Sequence, residues 1–288
     1  MRDLSSGPSL LSVNTATVRK QADLLGIVDA CARHGIAAIS PWRDQVAAVG
    51  FERAARAIKS AGLKLSGYCR GGLFPASETH RQEARDDNRR YVDEAAALGA
   101  PCLIIVAGGL PQYARPGSAP SKDIAGARAL IEDGLAELLA YARTANLPLA
   151  LEPLHPMYCA DRAAVNTLGQ ALDIASRLDP QSSGSLGVAV DVYHTWWDPD
   201  LYNAIARAGR ERRILAYHVS DWLVPTKDLL NDRGMMGDGV IELLRIRAAV
   251  EDAGYSGLIE AEIFSDHWWA QPIDTVLGTC VERYRTVV

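Results

Sequence analysis

Apolar positions along the chain follow two alternating rhythms. Short runs rich in aliphatic and β-branched residues recur at 10–15 (LLSVNT), 36–40 (IAAIS), 63–68 (LKLSGY), 102–107 (CLIIVA), 147–152 (LPLALE), 186–191 (LGVAVD), 214–219 (ILAYHV) and 257–263 (GLIEAEI). Between them lie longer stretches whose apolar residues return every three or four positions, the period of a helix with one buried face. Over 128–142, Leu130, Ile131, Leu135, Leu138 and Leu139 share such a face. Over 161–178, Asp161 is the expected N-cap, and Val165, Leu168, Leu172, Ala175 and Leu178 the buried stripe. The stretch 88–99 groups Tyr91, Val92, Ala95 and Leu98 and ends at Gly99, the residue type that stops a helix most cheaply.

Strands that are apolar throughout, separated by helices, predict a parallel sheet buried on both faces. Eight such units within 288 residues fit a closed (β/α)8 TIM barrel forming a single domain over 1–288. An open doubly wound sheet is the alternative. Its nucleotide signatures are missing: no G-x-G-x-x-G follows the first strand, and no G-x-x-x-x-G-K-[ST] occurs. The pairs Gly71–Gly72 and Gly108–Gly109 read as loop glycines at the barrel mouth, and 108–120 as a long loop after the fourth strand.

Composition narrows the classes. A formal net charge of −5 argues against a nucleic-acid partner, which needs a dense basic face. No unbroken apolar run of about 18 residues suggests a membrane span. The start, MRDLSSGPSLLSVNTATV, lacks the basic and apolar regions of a secretory signal. The 5 cysteines (31, 69, 102, 159 and 280) are odd in number and form no C-x-x-C pair, which points to reduced thiols and a cytoplasmic location.

Chemistry collects where the last four strands end, the position of catalytic groups in a barrel. Glu152, Asp191, His218 and Glu262 come one from each. A single carboxylate there often caps a helix or pairs with a cation, and a single histidine often hydrogen-bonds within a core. Four in succession predict one convergent site, because buried acidic groups are costly unless paired or metal-bound. Three carboxylates and an imidazole suit one divalent ion, Mn²⁺ foremost, with Co²⁺ or Mg²⁺ as alternatives.

The segments LEPLHP around Glu152, VDVYHTWW around Asp191, YHVSDW around His218, GDG at 237–239 and GYSGLIEAEIF around Glu262 resemble the xylose-isomerase-like sugar phosphate isomerase/epimerase superfamily. That superfamily includes ketose 3-epimerases, hydroxypyruvate isomerases and inosose dehydratases. The resemblance implies that the four residues are metal ligands and that Glu152 and Glu262 are catalytic. One would remove a proton α to a carbonyl and the other return it, through a metal-stabilised enediolate. It also implies a small sugar or keto-sugar substrate and assembly as a homodimer or tetramer.

Around this core, His194 matches a substrate-contacting histidine of the epimerases, with orientation of a ligand as its alternative. His155 would bind a hydroxyl, act as an acid or base, or cap the next helix. Tyr158 stands where the ketose epimerases carry a second glutamate, and would donate to substrate or pack at the rim. Trp42 and Trp197, with Trp196, Trp268 and Trp269, offer faces for a sugar ring or pack between loops. Arg43 could meet an anionic group, Asp221 and Lys227 are expected in surface ion pairs, and Asp238 is expected to order its loop.

The leading function is therefore a divalent-metal-dependent sugar isomerase or epimerase. Its alternative is a lyase or dehydratase eliminating from a keto-inositol or 3-keto-glycoside at the same site. A DNA-repair endonuclease would need more histidines and a basic rim; a non-catalytic barrel would not need all four ligands.

Overall fold

The computed structural model describes residues 1–76, 80–111 and 121–288; most of the loop read at 108–120 lies outside them. In chain order the strands are β1 (Leu11–Asn14), β2 (Ala38–Ser40), β3 (Lys64–Leu65), β4 (Tyr68–Gly72), β5 (Leu103–Val106), β6 (Leu149–Glu152), β7 (Leu186–Asp191), β8 (Ile214–Val219), β9 (Asp221–Trp222), β10 (Arg233–Gly234) and β11 (Ile259–Ala261). Nine form one sheet in the order β3-β2-β1-β11-β8-β7-β6-β5-β4, and β9 and β10 pair separately and antiparallel. The pairings of β1 with β2 and β11, of β2 with β3, of β8 with β11, and of β6 with β5 and β7 are all parallel. A parallel bridge between Trp42 and Cys69 links the chain leaving β2 to β4. This is the α/β TIM barrel that the strand–helix rhythm predicts.

The predicted third strand differs in detail: it is broken into β3 and β4 and runs on to Gly72. At the break, the Ser66 hydroxyl meets Ser12 Oγ at 2.6 Å and donates to Glu260 Oε2 at 2.7 Å. Gly71 and Gly72 are therefore strand residues and not loop glycines. Gly72 has φ +115°, and an added Cβ would collide with the Val106 carbonyl. Asn88 holds it there, accepting from Gly72 N at 2.6 Å and donating to Gly72 O at 2.8 Å.

Strand alternation sorts the side chains. Large aliphatics such as Leu11, Val13, Leu149, Leu151, Leu186, Val188 and Val190 share one face, all buried, each worth about 1.5–3 kcal/mol on removal from water. The other face carries small and polar residues: Ser12 and Asn14, Ala38 and Ser40, Ala150 and Glu152, Gly187, Ala189 and Asp191, Ala216 and His218. Small side chains along this face leave room for the polar ones at the strand ends.

The chain divides into two compact units, one of residues 1–69, 191–196 and 216–288, the other of 70–190 and 197–215. In the first, the helix Leu24–Arg33 is capped by Asp23, which accepts from Gly26 N at 2.9 Å. Its buried residues include Ile27, Val28 and Cys31, and the helix lies against the helix Ile273–Thr286. In the second, the helix Arg81–Leu98 stops at Gly99 in the left-handed region, φ 73°, as its sequence predicts. The predicted helix 161–178 is shorter, running Leu168–Leu178 with Thr167 and not Asp161 as N-cap. The preceding residues are held otherwise: Leu154 N donates to Val165 O, Ala164 N to Gly108 O, and Asn166 Nδ2 to Leu154 O and Ala163 O. Among the described residues no helix is long and apolar enough to cross a membrane, and none of the five cysteines is in a disulfide.

Candidate metal centre

Glu152 ends β6, Asp191 ends β7, His218 lies in β8, and Glu262 directly follows β11. All four are buried, and one ligand atom from each lies within 4.8 Å of the others. The sequence-predicted ligand set is thus brought together. Its donors fit a divalent ion: three hard oxygens, one imidazole and no thiolate. The Asp191 side chain is divided between two tasks, with Oδ1 accepting from Tyr193 N at 2.7 Å and Oδ2 turned to the cluster.

Carboxylates this close and this buried repel one another and lose hydration. Arg233, on β10, offsets this. Its Nη1 lies 3.1 Å from Asp191 Oδ2 and 3.4 Å from Glu262 Oε2, and also donates to Glu262 O at 3.1 Å. The guanidinium sits 4.4 Å from the Tyr193 ring centroid and 5.3 Å from that of Phe264, sandwiched by aromatic surface. Burial alone would raise Glu262, but Arg233 and His218 beside it hold its carboxyl well below the usual range.

Beside the ligands stands a second glutamate. Glu260 is two residues before Glu262, on the same face of the strand, and burial pushes its carboxyl above the ordinary value against the pull of His218. Oε1 accepts from Asn14 Nδ2 at 2.7 Å, and Oε2 from Ser66 Oγ at 2.7 Å. Asn14 Nδ2 also donates to Glu262 Oε1 at 3.1 Å. Sequence reasoning missed Glu260, Asn14 and Arg233. The spacing of the two glutamates in IEAEI was a usable signal, whereas Arg233 lies on a strand of two residues with no period to read.

The remaining predicted residues are placed as follows. His194 is buried, with Nε2 3.0 Å from Arg233 Nη2 and 3.7 Å from Asp191 Oδ2. An arginine can only donate, so Nε2 accepts and the proton sits on Nδ1. His155 is the cap: its Nδ1 accepts from Met157 N at 3.2 Å, and its ring stands edge-on to Trp197 at 5.5 Å. Burial lowers its pKa. Tyr158 is buried, with the Arg162 guanidinium 5.6 Å from its ring centroid. Trp42 packs edge-on to Phe264 at 5.6 Å, and Trp196 lies against Trp222, which lies against Tyr193. Trp269 is buried and donates to Ala16 O, a packing role.

Asp221 corrects the sequence reading. It is buried and accepts from the backbone N–H groups of Trp222, Gly237 and Ile241 at 2.8, 2.9 and 3.0 Å, so it organises the β9–β10 segment rather than a surface ion pair. Asp238 does order its loop, accepting from Met235 N at 3.1 Å.

None of the curated proteins matches the sequence. Among solved structures, protein SMc04130 from Sinorhizobium meliloti 1021 is 59% identical with TM-score 0.91, covering 96% of this chain and 98% of that one. The IolI protein, solved with a zinc atom, is 19% identical with TM-score 0.76, covering 95% of each chain. The 3-keto-D-glucoside 4-epimerase YcjR from E. coli is 18% identical with TM-score 0.75, covering 96% of this chain and 99% of that one. The last two likenesses are of fold. The family described as xylose isomerase-like TIM barrel matches residues 28–280, and the chain belongs to that family.

Proposed function

We propose that the protein is a divalent-metal-dependent isomerase or epimerase of an unphosphorylated sugar or keto-sugar, working by proton abstraction α to a carbonyl. The observation that carries this is the buried convergence of Glu152, Asp191, His218 and Glu262 within 4.8 Å. A divalent ion held there supplies positive charge for the oxygen that turns negative as the neighbouring C–H bond breaks.

The chain's own residues account for the rest. Arg233 and His218 keep Glu262 ionised, so it is ready to accept the proton. Glu152, from β6, would act in its protonated form as the partner acid, giving its own proton to the substrate carbon, while the proton taken by Glu262 leaves to solvent. His194, with Nε2 turned to Arg233, fixes that guanidinium. The rings of Trp222 and Trp196, and the separate pair Trp42 and Phe264, offer apolar faces suited to the C–H side of a sugar. Likeness in fold to the IolI protein, solved with a zinc atom, and to the 3-keto-D-glucoside 4-epimerase supports the reading. Assembly as a homodimer or tetramer is part of the same proposal.

A second reading keeps the proton abstraction and follows it by β-elimination from a keto-inositol or 3-keto-glycoside. It is favoured by Tyr158, buried where the ketose 3-epimerases carry a glutamate. One experiment separates the two. The Mn²⁺-loaded protein is incubated in D₂O with ketoses, keto-inositols and 3-keto-glycosides, and the products are followed by NMR. Deuterium α to a carbonyl with an epimeric product supports the isomerase. An unsaturated ketone absorbing in the near ultraviolet supports the lyase. Absence of exchange from every substrate with metal bound overturns both.

A further inference from the structure

We propose that Glu260 is a positioning residue for the metal centre, fixing which nitrogen of His218 faces the ion. The inference rests on the reading of the four-residue cluster as a metal site. His218 stands between two carboxylates: Nδ1 is 3.5 Å from Glu262 Oε2, and Nε2 is 3.6 Å from Glu260 Oε2. Glu262 belongs to the four-residue cluster and Glu260 does not, so on this reading the nitrogen on the Glu262 side, Nδ1, is the one turned to the ion. A neutral imidazole that ligates through one nitrogen carries its proton on the other. That proton, on Nε2, points at Glu260.

The placement is set by the sheet. Glu260 pairs in register with His218 on one side and with Ser12 on the other, so their side chains stand abreast on the same face. Glu260 is further pinned at both oxygens, by Asn14 on Oε1 and Ser66 on Oε2. Ser66 in turn meets Ser12 at 2.6 Å. The strand therefore presents two carboxylates of different use: Glu262 to the ion, and Glu260 to the back of the histidine ring. A carboxylate behind a ligating histidine holds ring orientation and tautomer and raises the basicity of the ligating nitrogen.

The test is direct metal binding, without substrate. Mn²⁺ affinity is measured by calorimetry for the wild type, Glu260→Ala and Ser66→Ala. The ring nitrogens of His218 are followed by ¹⁵N NMR of the Zn²⁺-loaded proteins. Glu260→Ala is expected to weaken Mn²⁺ binding about 10–100-fold and to erode the Nε2–H tautomer of His218. Ser66→Ala, which keeps the carboxylate but loosens it, is expected to weaken binding less and in the same direction; it carries the test should Glu260→Ala fail to fold. Unchanged affinity and unchanged His218 nitrogens in a folded variant overturn the role of Glu260 while leaving the metal site intact. Absence of Mn²⁺ binding in the wild type overturns both.

Discussion

Trp42 donates its indole N–H to Asn14 Oδ1 at 2.7 Å, and this bond decides which way the Asn14 amide points. An indole N–H only donates, so the oxygen must face it; Ala16 N, 3.0 Å away, donates to the same oxygen. The amide nitrogen is thereby left to the two glutamates of the β11 segment, Glu260 and Glu262. A residue expected to line a sugar site thus also sets the hydrogen bonding beside the candidate metal centre. Trp42→Phe keeps a ring against Phe264 but loses the donor. Its expected cost is about 1 kcal/mol, the net worth of one hydrogen bond, read by urea unfolding, together with weaker Mn²⁺ binding. Unchanged stability and affinity would show that the amide is fixed without Trp42.

Arg233 neutralises Asp191 and Glu262 from a buried position. Arg233→Met removes the charge while keeping much of the apolar stem, leaving the carboxylates facing one another. In ion-free protein the expected loss is about 3–5 kcal/mol, as when one member of a buried pair is deleted. Added Mn²⁺ should raise the melting temperature of the variant by more than that of the wild type, because the ion replaces the missing positive charge.

The same contact predicts a pH dependence with a definite sign. Glu262 is held below its ordinary value of 4.5. A carboxyl lowered on folding adds stability above its unfolded value and loses it as pH falls through the folded one. The gap between wild type and Arg233→Met is therefore expected to be widest near neutrality and to shrink in acid below pH 4.5. Denaturation curves at a series of pH values measure it; a gap that widens in acid would contradict the assignment.

Thiol reactivity offers a test of packing. Burial pushes Cys31 up to about 12 and raises Cys69 and Cys280 as well. Cys102 is also buried, and Cys159 is half-exposed. A thiol reagent at pH 8 is expected to modify Cys159 alone in the native protein, and all 5 cysteines after denaturation. Rapid loss of two or more thiols from native protein would refute this packing.

The parts of the fold legible in the sequence are those governed by local pattern. The runs at 186–191 and 214–219 coincide with β7 and β8, because each is mostly apolar and set between polar segments. Gly99 marks its helix end because only a residue without Cβ enters the left-handed region freely. The four residues of the cluster were legible because strand ends are where polar residues stand out against apolar runs. Long-range bonds hid the rest. Asp161 carries the chemistry of a cap, yet the backbone after it is claimed by Gly108 and Leu154, which delays the helix to Thr167. Asp221 looks like a surface acid until Gly237 and Ile241 fold back onto it. Arg233 reaches the site through long-range contacts, with β10 pairing with β9 and Arg233 N donating to Phe264 O.

The claim on which the account stands is that Glu152, Asp191, His218 and Glu262 together hold one divalent ion. Manganese titration followed by electron paramagnetic resonance measures it directly, comparing the wild type with Asp191→Asn and Glu152→Gln. The predicted result is one Mn²⁺ bound per chain in the wild type, with affinity lost or reduced by orders of magnitude in both variants while they remain folded. Absence of binding in the wild type, or binding that both variants retain in full, would contradict it.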